Sequence, residues 1–251
     1  MTKYSVEKDN PFYPIIEDAY RVFAVPTPKS LNICTACCMP LEKQAEMLTY
    51  ESRRIPKDMI CEWYESAVIE SSCPKDIWMF ILPRILEFLA MGEEPTFMGI
   101  QLVLSRFPTG DRTLWNQDQW DVINRFQRLF LKPTSVAEQM PTQDYSLDDK
   151  LCMFALAGWK VDGLMMQIMA CPRQMLVDQL YRDWGTWKPK RLRIWVTAFW
   201  NDGEANALKR WTSMELYSHL YDYAEDDSTP SLWVEKTKAL MDAILKGKPR
   251  L

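Results

Sequence analysis

Three cysteines in the N-terminal part of the chain, Cys34, Cys37 and Cys38, form a C-x-x-C-C cluster. A C-x-x-C pair often supplies two of the four nitrogen or sulfur ligands of a tetrahedral zinc ion. The missing ligands would have to be Cys61 or Cys73, because the only histidine lies far from the cluster in sequence. Since no second C-x-x-C pair follows, the pattern favours small, buried, apolar thiols, with zinc bound by Cys34, Cys37 and Cys38 as the alternative.

The same cluster could instead carry redox chemistry or redox sensing. A thiol beside a helix N-terminus is often reactive, and Pro40 predicts a helix immediately after Cys38. The alternating strands and helices of thioredoxin-like proteins are missing from the pattern, however. Redox chemistry therefore ranks below the buried-thiol and zinc interpretations.

A second local signature is Leu82-Pro83-Arg84, followed by Glu87. A proline inside an apolar helical pattern predicts a kinked helix. Arg84 and Glu87 are three residues apart, so a helix would bring them together on one face. We therefore predict a buried or half-buried ion pair here, with a clamp for a ligand or partner as the alternative.

The segment from Asn201 to Glu235 is strongly acidic. It contains eight acidic residues against Lys209 and Arg210, a local net charge of −6, and its densest part is Glu225-Asp226-Asp227. Such charged surfaces steer protein partners, and aromatic neighbours often anchor them. The predicted contact residues are Tyr221, Asp222, Tyr223, Glu225, Asp226, Asp227 and Trp233.

Asp148 and Asp149 form another acidic pair. We predict that they lie in an exposed loop between two helices. An enzyme acting on a small molecule would instead require a pocket lined by carboxylates such as that of Asp148.

The chain lacks the common catalytic motifs. It contains no G-x-G-x-x-G, no Walker A motif, no H-E-x-x-H and no G-x-S-x-G, and it has one histidine and eight glycines. We therefore predict that the protein is not an enzyme and that it needs no cofactor, apart from the zinc alternative.

Helical periodicity runs through most of the 251 residues, of which 47 % are hydrophobic. Proline is plentiful and glycine scarce, which is typical of helices that begin at proline. We predict an all-α fold of about ten to twelve helices, arranged as an orthogonal bundle or an α-solenoid-like stack of helix pairs. Among the predicted helices are those over 96–106, 191–200 and 206–223.

A proline-rich stretch over 133–144 is the best linker candidate. It predicts two helical halves, residues 1–132 with the cysteine cluster and residues 145–251, packed together as one globular unit. The first ten residues are polar and no run of about 18 apolar residues exists, so we expect a cytoplasmic protein without a membrane partner. The net charge of −4 argues against direct nucleic-acid binding.

The N-terminal half resembles a group of uncharacterised bacterial proteins over roughly residues 15–130. The shared pattern is the C-x-x-C-C cluster, then a tyrosine-bearing helix that here spans 60–67, then L-P-R-[IL]-L-E at 82–87. Members of the group often have a histidine just before L-P-R, where this chain has Phe80 and Ile81. The group has no established enzymatic activity that the resemblance could bring to this chain.

In size, helicity and acidity the chain also resembles immunity proteins, which are encoded beside antibacterial toxins of secretion systems such as type VI. This resemblance implies a one-to-one complex with a cognate toxin, for instance a nuclease whose basic cleft an acidic helical surface would cover. The alternative function is a metal-binding or redox-sensing protein built on the cysteine cluster.

Overall fold

The computed structural model describes residues 5–36, 38–67, 74–134, 145–185 and 192–247. These residues are helical or irregular and contain no β-strand, which confirms the predicted all-α fold. The chain divides into two compact units, unit 1 (Met1–Phe130) and unit 2 (Leu131–Leu251). In the described residues no helix combines the length and hydrophobicity that crossing a bilayer requires.

Unit 1 contains five longer helices and three short 3-10 turns within its described residues. The helices are α1 (Tyr13–Val22), α2 (Leu41–Met47), α3 (Lys57–Glu65), α4 (Lys75–Ala90) and α5 (Gln117–Leu131), the last of which ends one residue beyond the unit. The 3-10 turns are Ser52–Arg54, Ile100–Leu102 and Arg112–Leu114.

Proline sets the start of three of these helices. Pro40, Pro56 and Pro74 immediately precede α2, α3 and α4, and each has an extended ψ near 150°. Proline cannot donate a backbone hydrogen bond, but the first turn of a helix has no intrahelical use for those donors. The chain can therefore turn into each helix without losing a bond.

Helix α4 is the buried centre of unit 1. Every residue from Phe80 to Ala90 is buried, including Pro83 inside the helix. Apart from the charged residues Arg84 and Glu87 these side chains are apolar, as expected for a helix in a core. Helix α1 packs along it and contributes the buried side chains Ile15, Ile16 and Ala19.

Unit 2 contains six helices in its described residues. They are α6 (Leu147–Leu156), α7 (Val161–Met169), α8 (Arg173–Gly185), α9 (Glu204–Trp211), α10 (Met214–Ala224) and α11 (Ser231–Gly247). Helices α8, α10 and α11 pack against one another. Serine caps two of the six, since the Ser146 hydroxyl accepts from the Asp149 N–H and the Ser213 hydroxyl accepts from the Leu216 N–H.

Three predicted helices are wrong in extent. Residues 96–106 form only the turn Ile100–Leu102, because Gly99 has a φ of 103° that an α-helix cannot accommodate. The predicted helix over 206–223 is two helices, α9 and α10, because Ser213 caps a new helix start. Residues 192–200 are irregular, and the Thr197 N–H donates to the Asp148 carboxylate instead of to a helical carbonyl.

The predicted linker is only partly described. Residues 135–144 lie outside the described residues, whereas Pro133 and Thr134 are buried. The Thr134 N–H and hydroxyl both donate to the Gln179 side chain of α8, at 3.1 and 2.8 Å. Residue 134 is thus tied to unit 2.

Candidate functional sites

The predicted contact surface lies at the end of α10 and in the loop that leads to α11. Asp222, Glu225, Asp226 and Asp227 are all exposed. The Asp226 carboxylate accepts hydrogen bonds from the Ser228 N–H and hydroxyl, at 2.9 and 2.6 Å, which lower the pKa of its carboxyl. The loop therefore has a defined turn and presents its carboxyl groups to solvent.

The three predicted aromatic anchors differ in how far they are exposed to solvent. Tyr221 is 47 % exposed, whereas Tyr223 and Trp233 are only half-buried. The Lys236 ammonium lies 4.4 Å from the centre of the Trp233 ring and also pairs with Asp178 at 2.8 Å. Trp233 thus takes part in packing within unit 2, and Tyr221 is the anchor that best faces solvent.

Exposed apolar side chains extend this surface along α10 and α11. Met214 is 60 % exposed and stands seven residues before Tyr221, which places both on one face of α10 with exposed Ser218 between them. On α11, Leu232 is 58 % exposed. Met214 and Leu232 were not among the predicted contact residues, although the i, i+4, i+7 spacing of Met214, Ser218 and Tyr221 could have indicated a shared face.

The exposed charge of the segment from Asn201 to Glu235 is mostly negative, although Arg173 of α8 contributes to lowering the pKa of the Asp226 carboxyl. All eight acidic residues between Asn201 and Glu235 are exposed. Of the two basic residues in that fully described segment, Arg210 is half-buried, pairs with Asp202 and stacks 4.6 Å over the Trp200 ring. Lys209 is left as the only exposed cation of the segment. We call the exposed side chains of this segment, from Asn201 to Glu235, the acidic face.

The prediction of an exposed Asp148 is wrong. Asp148 is buried in the first turn of α6 and accepts three N–H donors: Thr197 N at 2.7 Å, Trp211 Nε1 at 2.7 Å and Trp200 Nε1 at 3.2 Å. Burial raises the pKa of the Asp148 carboxyl to about 6, and these hydrogen bonds only partly oppose the rise. Asp148 is a structural anchor, and the acidic spacing gave no sign of its partners.

A small cavity lies beside Asp148. Its lining includes Asp148, Asp183, Trp184, Trp195 and Trp211, and its volume is about 20 Å³. A water molecule needs about 10–15 Å³ by this measure, whereas organic ligands occupy pockets of several hundred Å³. The cavity beside Asp148 therefore has room for water but not for an organic substrate.

The predicted ion pair on α4 is confirmed. Arg84 Nη1 lies 2.6 Å from Glu87 Oε2, and both side chains are buried. Glu87 also accepts a hydrogen bond from the Tyr20 hydroxyl at 2.7 Å and faces Arg53 at 3.2 Å. Arg84 Nε donates to the Ile55 carbonyl. The cluster joins three segments of unit 1, which makes it a structural centre of that unit.

Of the cysteine cluster, the structure describes Cys34 and Cys38. The Cys34 N–H donates to the Ala67 carbonyl at 2.8 Å, and the Ala67 N–H donates to Cys38 Sγ at 3.4 Å, so the loop lies against the end of α3. Cys37 and Cys73 lie outside the described residues. No group of three or more histidine, cysteine, aspartate or glutamate side chains in the described part of the chain is arranged to hold a metal ion. Zinc at Cys34, Cys37 and Cys38 stays a prediction.

Structure adds one thiol that the cluster alone did not include. Cys61 of α3 and Cys38 line the same open cleft, together with Asp58, Glu62 and Glu65. The cleft has a volume of about 400 Å³. Burial raises the pKa of the Cys61 thiol.

Comparison of the chain with known protein families, with curated proteins and with solved structures finds no match. The resemblances to the bacterial group and to immunity proteins therefore stay predictions, and the proposals below depend on the geometry of the two units.

Proposed function

We propose that this chain is a protein-binding inhibitor, an immunity protein that neutralises a bacterial toxin by covering its active site or substrate groove. The observation that carries the proposal is the acidic face of unit 2, which combines eight exposed carboxylates with exposed apolar side chains within one segment of the chain. The partner is a single toxin molecule with a basic surface, and a nuclease domain fits that description.

The composition of the acidic face supports a protein partner more than a small ligand. Tight protein interfaces combine a few apolar or aromatic anchors with a charged rim that steers the encounter. Tyr221, Met214 and Leu232 supply the anchors, and Asp222 with the loop carboxylates supplies the rim. The defined turn at Asp226 reduces the ordering that binding would otherwise cost.

The first test is genetic. The toxin-like gene next to that of this chain is expressed in a sensitive host, with and without the chain, and growth is measured. We expect the chain to restore growth and to form a one-to-one complex with nanomolar affinity in calorimetry. Continued killing despite soluble chain, or the absence of a complex, would contradict the proposal.

The second test locates the surface. In the variant Asp226→Lys/Asp227→Lys we expect the affinity to fall by roughly 100-fold, because both charges then repel a basic partner. Tyr221→Ala removes an anchor and should weaken binding by roughly tenfold or more. The matched control is Glu46→Lys, which reverses an exposed charge on α2 of unit 1 and should leave the affinity unchanged.

A further inference from the structure

Residues 192–200 of unit 2, which we call the aromatic segment, carry two exposed aromatic side chains. Trp195 is 55 % exposed and Phe199 is 42 % exposed, and no aromatic side chain in the described part of unit 2 is more exposed than Trp195. From Arg193 to Val196 exposed and buried side chains alternate, which is typical of an extended chain with one face on a core. Trp195 therefore belongs to the outer face of this segment.

The aromatic segment is fixed to the rest of unit 2 near both of its ends. Near its start, the Arg193 N–H donates to the Trp184 carbonyl of α8 at 3.0 Å. Near its end, the Thr197 N–H and the Trp200 indole N–H donate to the Asp148 carboxyl group at 2.7 and 3.2 Å. A segment held in this way has little conformational freedom left to lose when a partner covers it.

The first part of the aromatic segment lies beside the start of α10. Ile194 Cδ1 and Thr212 Cγ2 lie 3.1 and 3.4 Å from the position that a Cβ on Gly247 would occupy, so the side chains of Ile194 and Thr212 are neighbours. Thr212 stands two residues before Met214, an exposed apolar residue of the acidic face. The aromatic segment is thus continuous with the apolar part of that face.

The last part of the aromatic segment leads directly into acidic residues. Asp202 and Glu204 follow Phe199 by three and five residues, and both are exposed. Asp202 pairs with Arg210, whose guanidinium stacks over the Trp200 ring. The beginning of the acidic face therefore packs on the aromatic segment itself.

The aromatic segment and the acidic face differ in what they offer a partner. The aromatic segment contains one charged residue, the exposed Arg193, so it has no negative charge that would attract a basic protein. It offers apolar area instead, and tryptophan is among the side chains most enriched at the centres of tight interfaces. The carboxylates of the acidic face supply the long-range attraction.

We propose that Trp195 and Phe199 are the apolar anchor of the partner-binding surface and dock into an apolar pocket on the basic protein that the acidic face attracts. The occupant is this partner protein because the aromatic segment is continuous with Met214 and with the first acidic residues of that face. The anchor and the acidic face bind the same partner, so the anchor depends on the proposed function.

The test measures the association and dissociation rates of the toxin encoded next to this chain, at low and at high salt. Trp195→Ala should raise the dissociation rate by roughly 100-fold and Phe199→Ala by roughly tenfold, with little change in the association rate. Asp226→Lys/Asp227→Lys should instead lower the association rate and its salt dependence. The matched control is Phe97→Ala, which removes an 84 % exposed aromatic side chain from unit 1 and should leave both rates unchanged.

Trp195→Ala that dissociates as slowly as the wild type would overturn the anchor and leave the proposed function intact. A wild-type chain that binds no toxin would remove both. Sedimentation velocity of the chain alone tests the other occupant, because a wild-type dimer that Trp195→Ala abolishes would assign the aromatic side chains to a second copy.

Circular dichroism checks that each variant is folded, since Trp195 also borders the small cavity beside Asp148. If Trp195→Ala fails to fold, Phe199→Ala decides, and an unchanged dissociation rate there refutes the anchor.

Discussion

Glu87 in unit 1 and Asp148 in unit 2 are both buried carboxylates, but their partners differ in kind. Glu87 faces two guanidinium groups, Arg84 at 2.6 Å and Arg53 at 3.2 Å, and also the Tyr20 hydroxyl. The hydrogen bonds to Asp148 come from neutral donors, one backbone N–H and two indole N–H groups. The negative charge of Glu87 is therefore balanced by positive charges, whereas Asp148 is surrounded by the dipoles of neutral N–H groups.

This difference determines what each cluster contributes. Opposite charges neutralise each other inside a protein, but each becomes costly when its partner is removed. Neutral N–H donors stabilise an anion without cancelling its charge, so burial still favours the protonated acid. We therefore expect unit 1 to be sensitive to the loss of a charge, and unit 2 to be sensitive to pH.

Replacing Glu87 by glutamine should have the largest effect. The change removes the negative charge that faces buried Arg84, and breaking a buried pair in this way costs about 3–5 kcal/mol of unfolding free energy. Urea unfolding followed by circular dichroism measures the loss. The control is Glu17→Gln, which breaks the more exposed pair with Arg53 and should cost less than about 1 kcal/mol. Equal losses of unfolding free energy in the two variants would show that the buried Glu87 pair contributes no more to stability than the exposed Glu17 pair.

The second largest effect is expected in the pH dependence of stability, which should distinguish the Asp148 cluster from the Glu87 cluster. The pKa of Asp148 rises from an ordinary 3.8 to about 6, so between these values the folded protein holds a proton that the unfolded chain has lost. Its contribution to stability is therefore complete below about pH 4 and is lost as the pH rises through 6. Since one pKa unit corresponds to about 1.4 kcal/mol, the loss is about 3 kcal/mol.

The variant Asp148→Asn isolates this effect. Burial also raises the pKa of Asp183, so the wild-type curve alone would mix the two groups. We expect the difference in unfolding free energy between the wild type and Asp148→Asn to change by about 3 kcal/mol from pH 4 to pH 7, in favour of the variant at higher pH. A difference that stays constant over this range would mean that Asp148 does not titrate there.

The same variant at pH 4, where Asp148 carries no charge, measures the hydrogen bonds alone. The asparagine amide group cannot accept where a carboxyl oxygen did, so one of the Thr197, Trp200 or Trp211 donors loses its acceptor. The expected cost is about 2 kcal/mol. The neighbouring change Asp149→Asn, at a half-buried position that accepts from the Ser146 hydroxyl, should cost less. If it costs more, the triple N–H contact is not what secures this part of unit 2.

The two carboxylates also show what sequence spacing can and cannot predict. Arg84 and Glu87 are three residues apart, so a helix alone brings them together, and the pair was predictable. The donors to Asp148 lie 49 to 63 residues further along the chain, and only the packing of unit 2 brings them to it. The spacing of Asp148 and Asp149 indicated only two adjacent acidic residues, and it therefore suggested that both are exposed to solvent.

The same limit explains the other differences. The acidic run at Glu225 to Asp227 is exposed as local composition suggests, because a loop of charged residues has no apolar face to bury. Cys38 and Cys61 share a cleft only because the loop before α2 lies against the end of α3. The predicted helix over 96–106 was wrong for a local reason, because the spacing of apolar residues cannot indicate that Gly99 adopts a positive φ.

The smallest predicted effect concerns how helices begin, by proline in both units and by a serine cap at α10. Prolines precede α2, α3 and α4 in unit 1 and also α8 and α11 in unit 2, whereas at the start of α10 the Ser213 hydroxyl accepts from the Leu216 N–H at 3.2 Å. Ser213→Ala should therefore cost about 1 kcal/mol, because a helix N–H loses its acceptor. The matched control is Ser218→Ala, the same chemical change at an exposed position inside α10, where alanine is the better helix former and stability should stay level or rise slightly. If both variants lose the same stability, the serine cap does not determine where α10 begins, and the break between α9 and α10 must come from the packing of Trp211 and Leu216 instead.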